Sequence, residues 1–440
     1  MIVPSTRLLI VTGGIAVPAA LAASLPGWAA AGYGLMGLLV AIVAIDALAA
    51  RTRLRGLSVQ GADVTRLWKD RAGGIELTIE NDSRKEIALR IGLSFPDEIV
   101  AMEEELSTVL PSGVEFSRIA WQCTPNRRGR YILDQCALER NSPLGLWLVR
   151  RRLPVTLEVR VYPNLAAERK NAPAFFKRGR LGIHGQRQIG KGREFEKLRE
   201  YAPGDSFDEI DWKATARRGH PITRVFQVER TQEVYIILDA SRLSARLVAS
   251  DPNSSILERN ITASLLLALA AEKQGDLFGM ITFSDRVHDF VRARNGKAHY
   301  TACREALYNL HPRIVTPDFD ELFSLLRLRL RRRALLVFLT ELDDPMVAES
   351  FARNIKLLRH HLILVGMAQP PGARPLFESA SIQGTDGVYR ELAGHILWNK
   401  LREFGQVLRS QGVRFSLLDA ATIGPELAAL YIDMKQRQLL

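Results

Sequence analysis

Three patterns of apolar and polar positions divide the chain. From Leu8 to Leu25 no residue is charged, Pro26-Gly27 interrupts, and Trp28 to Ala50 is apolar again except for Asp46. Each run approaches the roughly 20 residues that cross a bilayer as a helix, so residues 1–55 predict two spans in a tight hairpin. Between Leu57 and Val161 short runs such as GIELTIEN, EIALRIGLSF and TLEVRVYP alternate with period two and are separated by Asn-Asp-Ser, Pro-Ser-Gly and Asn-Ser-Pro turns. That is the signature of antiparallel strands, here an all-β sandwich over residues 56–165. From Gln232 onward nearly continuous apolar runs (VYIILD, LFGMITF, ALLVFLT, HLILVGM, RFSLLD) alternate with amphipathic segments. Residues 232–440 therefore predict an α/β domain with an open, mostly parallel sheet covered on both faces. A connector, residues 166–231, lacks periodicity from Phe175 to Gly192 and then becomes dense in charge.

Charge orients the hairpin. Arg7 precedes the first span, Arg51, Arg53, Arg55, Arg66 and Lys69 follow the second, and the intervening SLPGW is uncharged. The positive-inside rule then places both ends, and the main domains, in the cytoplasm. A cleaved signal peptide ending near Ala22-Ala23-Ser24 is the competing reading, weakened by the second apolar run. Asp46, one turn before Arg51, is positioned to pair with it. The net charge of +12 over 440 residues suits anionic lipid, nucleic acid or acidic protein partners. Nucleic acid is not expected, because no recognised binding motif accompanies the basic runs Arg150–Arg152 and Arg327–Arg333. A membrane-facing or solvated surface fits those runs better. Three cysteines without CxxC spacing predict buried thiols rather than a disulfide framework or zinc site.

Three chemistries compete for the polar motifs. Gly185 to Lys191 satisfies GxxxxGK, but Gly192 stands where a phosphate loop needs Ser or Thr, and neither the strand nor the helix of such a loop flanks it. Asp205, Asp208, Glu209 and Asp211 beside Lys213 suggest a metal-dependent phosphodiester hydrolase; the bland reading pairs these acids with Arg199, Arg217 and Arg218. Asp239-Ala-Ser241 ends the first apolar α/β strand and, with Thr316 and Asp343, would form a degenerate Mg2+ site, because Leu243 breaks a DxSxS pattern. The alternative is that Asp239 and Ser241 only cap or pin the following turn.

The segment from Gly192-Arg193-Glu194-Phe195 through Leu198-Arg199-Glu200-Tyr201-Ala202-Pro203-Gly204-Asp205 to Ile210-Asp211-Trp212-Lys213-Ala214-Thr215-Ala216-Arg217 resembles the core of the domain of unknown function DUF58. Arg128 to Tyr131, Ser142-Pro143-Leu144-Gly145-Leu146-Trp147, Val161-Tyr162-Pro163 and Val234 to Ser241 extend the resemblance. It implies a membrane-anchored protein whose β-sandwich precedes a von Willebrand factor A-like domain, with no established enzymatic activity and a MoxR-type AAA+ ATPase as partner. The expectation is thus a non-enzymatic adaptor or scaffold on the lipid bilayer. Within the core, Arg199, Tyr201, Pro203, Gly204, Asp205, Asp211, Trp212 and Arg217 are expected to brace the connector, with acids meeting Arg199, Arg217 and Arg224, or to present a docking surface.

Overall fold

The computed structural model describes residues 1–25, 27–165, 189–203, 205–227, 232–249, 251–376 and 384–436. They form two compact units, Met1–Asn164 and Leu165–Leu440. The first four positions of the GxxxxGK match, 185–188, and connector residues 166–184 lie outside the described residues.

The first unit begins with a strand that the anchor reading did not anticipate, β1 (Ile2–Pro4). Ser5 then caps α1 (Thr6–Ala23), its hydroxyl accepting from the Leu8 amide, and α2 (Ala29–Ala50) follows. These apolar helices of 18 and 22 residues are long enough to cross a membrane. Buried Gly32 lies against the backbone of Ala19 and Ala23, where a Cβ would sit 2.5 Å from the Ala23 nitrogen, so the helices cross at a distance only glycine permits.

The strands that follow are β2 (Leu57–Gly61), β3 (Val64–Trp68), β4 (Gly73–Asn81), β5 (Ile87–Leu93), β6 (Ile99–Ala101), β7 (Glu105–Leu110), β8 (Phe116–Pro125), β9 (Gly129–Asn141) and β10 (Trp147–Tyr162). One sheet runs β2-β4-β8-β6; the other runs β1-β10-β9-β5-β7, with β3 parallel to the far half of β10. Alternation drives the two sheets together: Ile75, Leu77, Ile79 and Trp121 from one share a core with Ile91, Leu138, Leu157 and Val159 from the other. Because β1 precedes the helix pair and pairs antiparallel with β10, which follows it, both ends of the hairpin lie on the same side of whatever α1 and α2 cross.

The second unit opens with β11 (Ile189–Glu200) and β12 (Ile222–Gln227), an antiparallel pair whose intervening chain carries a 3-10 turn, Phe207–Glu209, and α3 (Trp212–Arg218). Next come β13 (Glu233–Asp239), the short pair β14 (Leu247–Val248) and β15 (Asp251–Ser255), α4 (Ile256–Lys273), β16 (Leu277–Phe283), β17 (Val287–Arg294), α5 (Lys297–Leu307), α6 (Phe319–Arg329), β18 (Leu335–Leu339), α7 (Pro345–Asn354), β19 (Leu362–Ala368), α8 (Gly384–Ser410), β20 (Val413–Leu418) and α9 (Ile423–Gln436). The sheet order is β17-β16-β13-β18-β19-β20; its neighbours pair parallel except β17, an antiparallel edge strand that the apolar pattern did not mark.

Both faces of this sheet are covered. Val234, Ile236 and Leu238 face a core shared with α4 and α9, while Tyr235, Ile237 and Phe338 face another shared with α6 and α7. The continuous apolar runs follow from this two-sided burial.

Candidate functional site

The density of charge between β11 and β12 resolves into two carboxylate anchors. Asp205 accepts from Arg199 Nη2 at 2.6 Å, from the Ala202 amide at 3.0 Å and from the Thr223 hydroxyl at 3.3 Å. Asp211 caps α3, accepting from the Lys213 and Ala214 amides at 3.0 Å each, with Arg224 Nε at 3.4 Å. Donated amide hydrogens, first Ala202 and then the Arg199 charge for Asp205, and Ala214 with Arg224 for Asp211, hold both carboxyls below the ordinary aspartate range. Gly219, at φ +74°, ends α3 in the left-handed region and turns the chain into β12.

Several expected partners separate here. Asp205 meets Arg199 and not Arg217, which is exposed, and Trp212 contributes no buried face to a brace because its ring is 67% exposed. Tyr201 packs beside Phe207, ring centroids 6.0 Å apart, and Phe207 is 73% exposed. Pro203 is exposed at the turn, and Gly204 lies outside the described residues. Lys213, Asp208, Arg217 and Arg218 all face solvent, while Asp205 and Asp211 are spent on separate backbone anchors. The geometry that a shared catalytic metal requires is not built by these acids.

The second candidate is the carboxyl edge of the parallel strands. Asp239, 1% exposed, accepts from the Ser241 amide at 2.8 Å and from the Thr340 hydroxyl at 2.6 Å. Burial raises its proton affinity against the pull of those donors. The fully buried Ser241 hydroxyl lies beside this carboxylate without a well-formed hydrogen bond. Loops converge around it: the Arg313 amide donates to the Ala240 carbonyl at 2.7 Å and the Arg242 amide to the Val315 carbonyl at 3.0 Å. Thr316, next in that loop, is exposed.

Asp343 does not face a vacant cation position, because both its oxygens bind Arg246, at 2.6 and 3.0 Å. Arg242 likewise binds Asp344 at 2.6 Å. Buried Glu341, its carboxyl pushed up to about 8 chiefly by burial, accepts from the Ala368 amide at 3.3 Å. Among the described residues no group of three acidic, histidine or cysteine side chains is placed to hold a metal ion. With Asp239 used internally and a guanidinium on Asp343, the residues Asp239, Ser241, Thr316 and Asp343 do not fit a divalent cation as arranged. The three thiols are free and buried, and burial pushes them up to about 11 for Cys123 and Cys136 and about 12 for Cys303, which disfavours the thiolate form in each.

One further cluster mimics a catalytic pair. Fully buried Ser284, just past β16, donates to Asp285 at 2.6 Å and meets His288 Nε2 at 2.7 Å. Its single hydroxyl hydrogen is committed to Asp285, so the imidazole faces it as a donor and does not activate it.

A family model described as protein of unknown function DUF58 matches residues 197–374. The chain carries a DUF58 region. The uncharacterized protein Rv1480 of Mycobacterium tuberculosis (strain ATCC 25618 / H37Rv) is 24% identical over 185 residues, 41% of this chain and 56% of that protein. The uncharacterized protein YeaD of Bacillus subtilis (strain 168) is 32% identical over 69 residues, 16% of this chain and 15% of YeaD. The chain thus spans little more than half the length of the mycobacterial relative that it matches. Among solved structures, the conserved hypothetical protein BatB from Bacteroides thetaiotaomicron has 14% identity and a TM-score of 0.30, covering 47% of this chain and 99% of that one. An aerotolerance-related membrane protein from Bacteroides fragilis NCTC 9343 has 13% identity and a TM-score of 0.29, covering 46% and 98%. The DUF58 region begins within β11 and ends at Arg374, so it holds both the Asp205–Asp211 anchors and the carboxyl edge, while the helix pair and sandwich precede it.

A junction that sequence reasoning missed lies in that preceding unit. Asp46, expected beside Arg51, instead accepts from the Ser142 hydroxyl at 2.5 Å, the Leu144 amide at 3.0 Å and the Leu146 amide at 3.3 Å. The Trp147 indole donates to the Val43 carbonyl at 3.0 Å, and Gly145 turns at φ +74° under Arg7. Ser142-Pro143-Leu144-Gly145-Leu146-Trp147 is therefore the loop that seats the sandwich on α2.

Proposed function

We propose that the protein is a membrane-anchored, non-enzymatic adaptor whose DUF58 hairpin is a docking surface, with a von Willebrand factor A-like α/β domain behind it. One observation carries this reading: Asp205 and Asp211 hold the hairpin from inside, whereas Phe207 and Trp212 present large rings to solvent beside exposed Lys213, Arg217 and Arg218. Exposed aromatic rings ringed by cations suit a partner with an apolar socket and an acidic rim. A MoxR-type AAA+ ATPase is the partner that the DUF58 resemblance favours, and a bacterial inner membrane with cytoplasmic main domains is the setting that the positive charge around α1 and α2 favours.

Crosslinking and pull-down from native membranes tests this, comparing wild type with Phe207→Ala/Trp212→Ala. Recovery of an AAA+ ATPase by the wild type and its loss in the folded double variant supports the reading. Recovery undiminished by the variant removes the docking role from the hairpin, and absence of any ATPase removes the adaptor role.

A further inference from the structure

We propose that the arginines at the foot of the helix pair bind the phosphate of an anionic phospholipid. α2 ends at Ala50, and the chain turns through Arg51–Arg55 straight into β2. Arg140 of β9 donates through Nη1 to the Arg53 carbonyl at 3.2 Å, and Arg151 of β10 donates through Nη1 to the Leu54 carbonyl at 2.9 Å. These tethers gather Arg53, Arg140 and Arg151 about one backbone turn, with Arg51 and Arg55 exposed on the same turn.

Like charges gathered this way repel. Burial, and then the Arg53 charge, lower the proton affinity of Arg140. Among the described residues no carboxylate pairs with any of the five. Glu139, the neighbour of Arg140 on β9, is taken by Arg90 and Arg150, and Asp46 is spent on the Ser142–Leu146 loop; the Asp82 carboxylate lies at the end of the turn beside Gly56, forming no ion pair with the five. Five guanidiniums against one neighbouring carboxylate leave the turn strongly positive, and its place says which anion suits it. A turn starting one residue beyond a membrane span sits at headgroup depth, where the available anion is a lipid phosphate, and the planar guanidinium fork matches phosphate oxygens.

The inference rests on α1 and α2 spanning a bilayer, and alkaline extraction checks that separately: a chain released from membranes overturns the anchor itself. For a retained chain, native mass spectrometry of the purified full-length protein with added phosphatidylglycerol or phosphatidylcholine of matched chains reads the site. Phosphatidylglycerol should be held in preference, and Arg53→Gln/Arg140→Gln/Arg151→Gln should weaken it by about fivefold per arginine while leaving phosphatidylcholine unchanged. Arg331→Gln/Arg332→Gln/Arg333→Gln, in the other unit, should keep the preference. Equal retention of the two lipids by the wild type, or loss in the control triple variant alone, overturns the proposal. So does displacement of the lipid by inorganic phosphate that then remains bound, which would make the ligand a free phosphate.

Because Arg140 and Arg151 also tether the turn, a second measurement uses the unaltered chain. In nanodiscs the immobilised fraction of spin-labelled phosphatidylglycerol should exceed that of phosphatidylcholine and fall with salt. Equal fractions at low salt would refute the site.

Discussion

The Ser142 hydroxyl donates to the Asp46 carboxylate at 2.5 Å, across 96 positions of sequence. With the Leu144 and Leu146 amides it supplies three donors to a carboxylate that is 2% exposed. A carboxylate so buried is tolerated only where its oxygens are matched by donors. The sandwich and the helix pair are thereby one unit, tied at the Asp46 carboxylate, at the Trp147–Val43 hydrogen bond and at β1.

Replacing Asp46 by Ala strips the first of these ties and leaves three donors, two of them buried, without their acceptor, at a cost of about 3 kcal/mol. Calorimetry in nanodiscs should show the transition of the first unit lowered and that of the α/β unit unmoved. An unshifted first transition would mean that β1 and the helix contacts suffice.

Within the DUF58 hairpin, Asp205→Ala frees three donors, whereas Arg199→Gln frees one acceptor and Arg217→Asp touches neither anchor. Limited proteolysis between Glu200 and Pro221 should therefore accelerate in the order Asp205→Ala, then Arg199→Gln, with Arg217→Asp like the wild type. Greater sensitivity in Arg217→Asp than in Asp205→Ala would return Arg217 to the brace.

The legible parts of the chain were those where one local rule dominates. Two-sided burial makes β13, β16, β18, β19 and β20 continuous apolar runs, and alternation exposes the sandwich strands. β17 escaped because Val287-His288-Asp289-Phe290 is an edge strand with polar positions on both sides of its pleat. Asp46 was legible as a lone acid in an apolar helix, but its partners are two backbone amides and a hydroxyl about a hundred positions away, which no local pattern marks. At the carboxyl edge, Asp239 and Asp343 were legible as acids at strand ends. Arg246 was not, since only the fold of the turn after β13 carries its guanidinium onto Asp343.

That ion pair predicts a response to metal. Wild type should show no rise in melting temperature with Mg2+ and no fall with chelator, whereas Arg246→Gln, which frees Asp343, should gain a Mg2+-dependent rise through preferential binding to the folded state. A chelator-sensitive wild type would show that the guanidinium yields to a metal.

Buried groups act on the pH response of the α/β unit with opposite signs, His361 one way and the carboxyls Glu341 and Asp239 the other. His361, beside His360 at a ring separation of 3.7 Å, accepts the Ala334 amide on Nδ1 at 3.2 Å, and burial lowers its pKa to about 4. Unfolded histidine titrates near 6.5, so its share of stability is complete above that value and drains as pH falls toward about 4. Glu341, raised to about 8 against roughly 4.3 when unfolded, behaves oppositely: its share is complete below the lower value and drains as pH rises toward about 8. The two slopes, each at most about 1.4 kcal/mol per pH unit, oppose one another between roughly pH 4.3 and 6.5. Above that window the buried carboxyls Glu341 and Asp239, both with raised proton affinity, act in the same direction, and wild-type stability should fall from about pH 6.5 to 8. Glu341→Gln should fall less steeply there and be more stable than wild type at the alkaline end, while His361→Asn, whose carbonyl can still accept from Ala334, should uncover the falling carboxyl slope at acid pH. Calorimetric titration of the α/β transition in the three proteins decides it: a slope in Glu341→Gln as steep as that of the wild type between about pH 6.5 and 8 would assign the titration to a different group and leave Glu341 ionised in the fold.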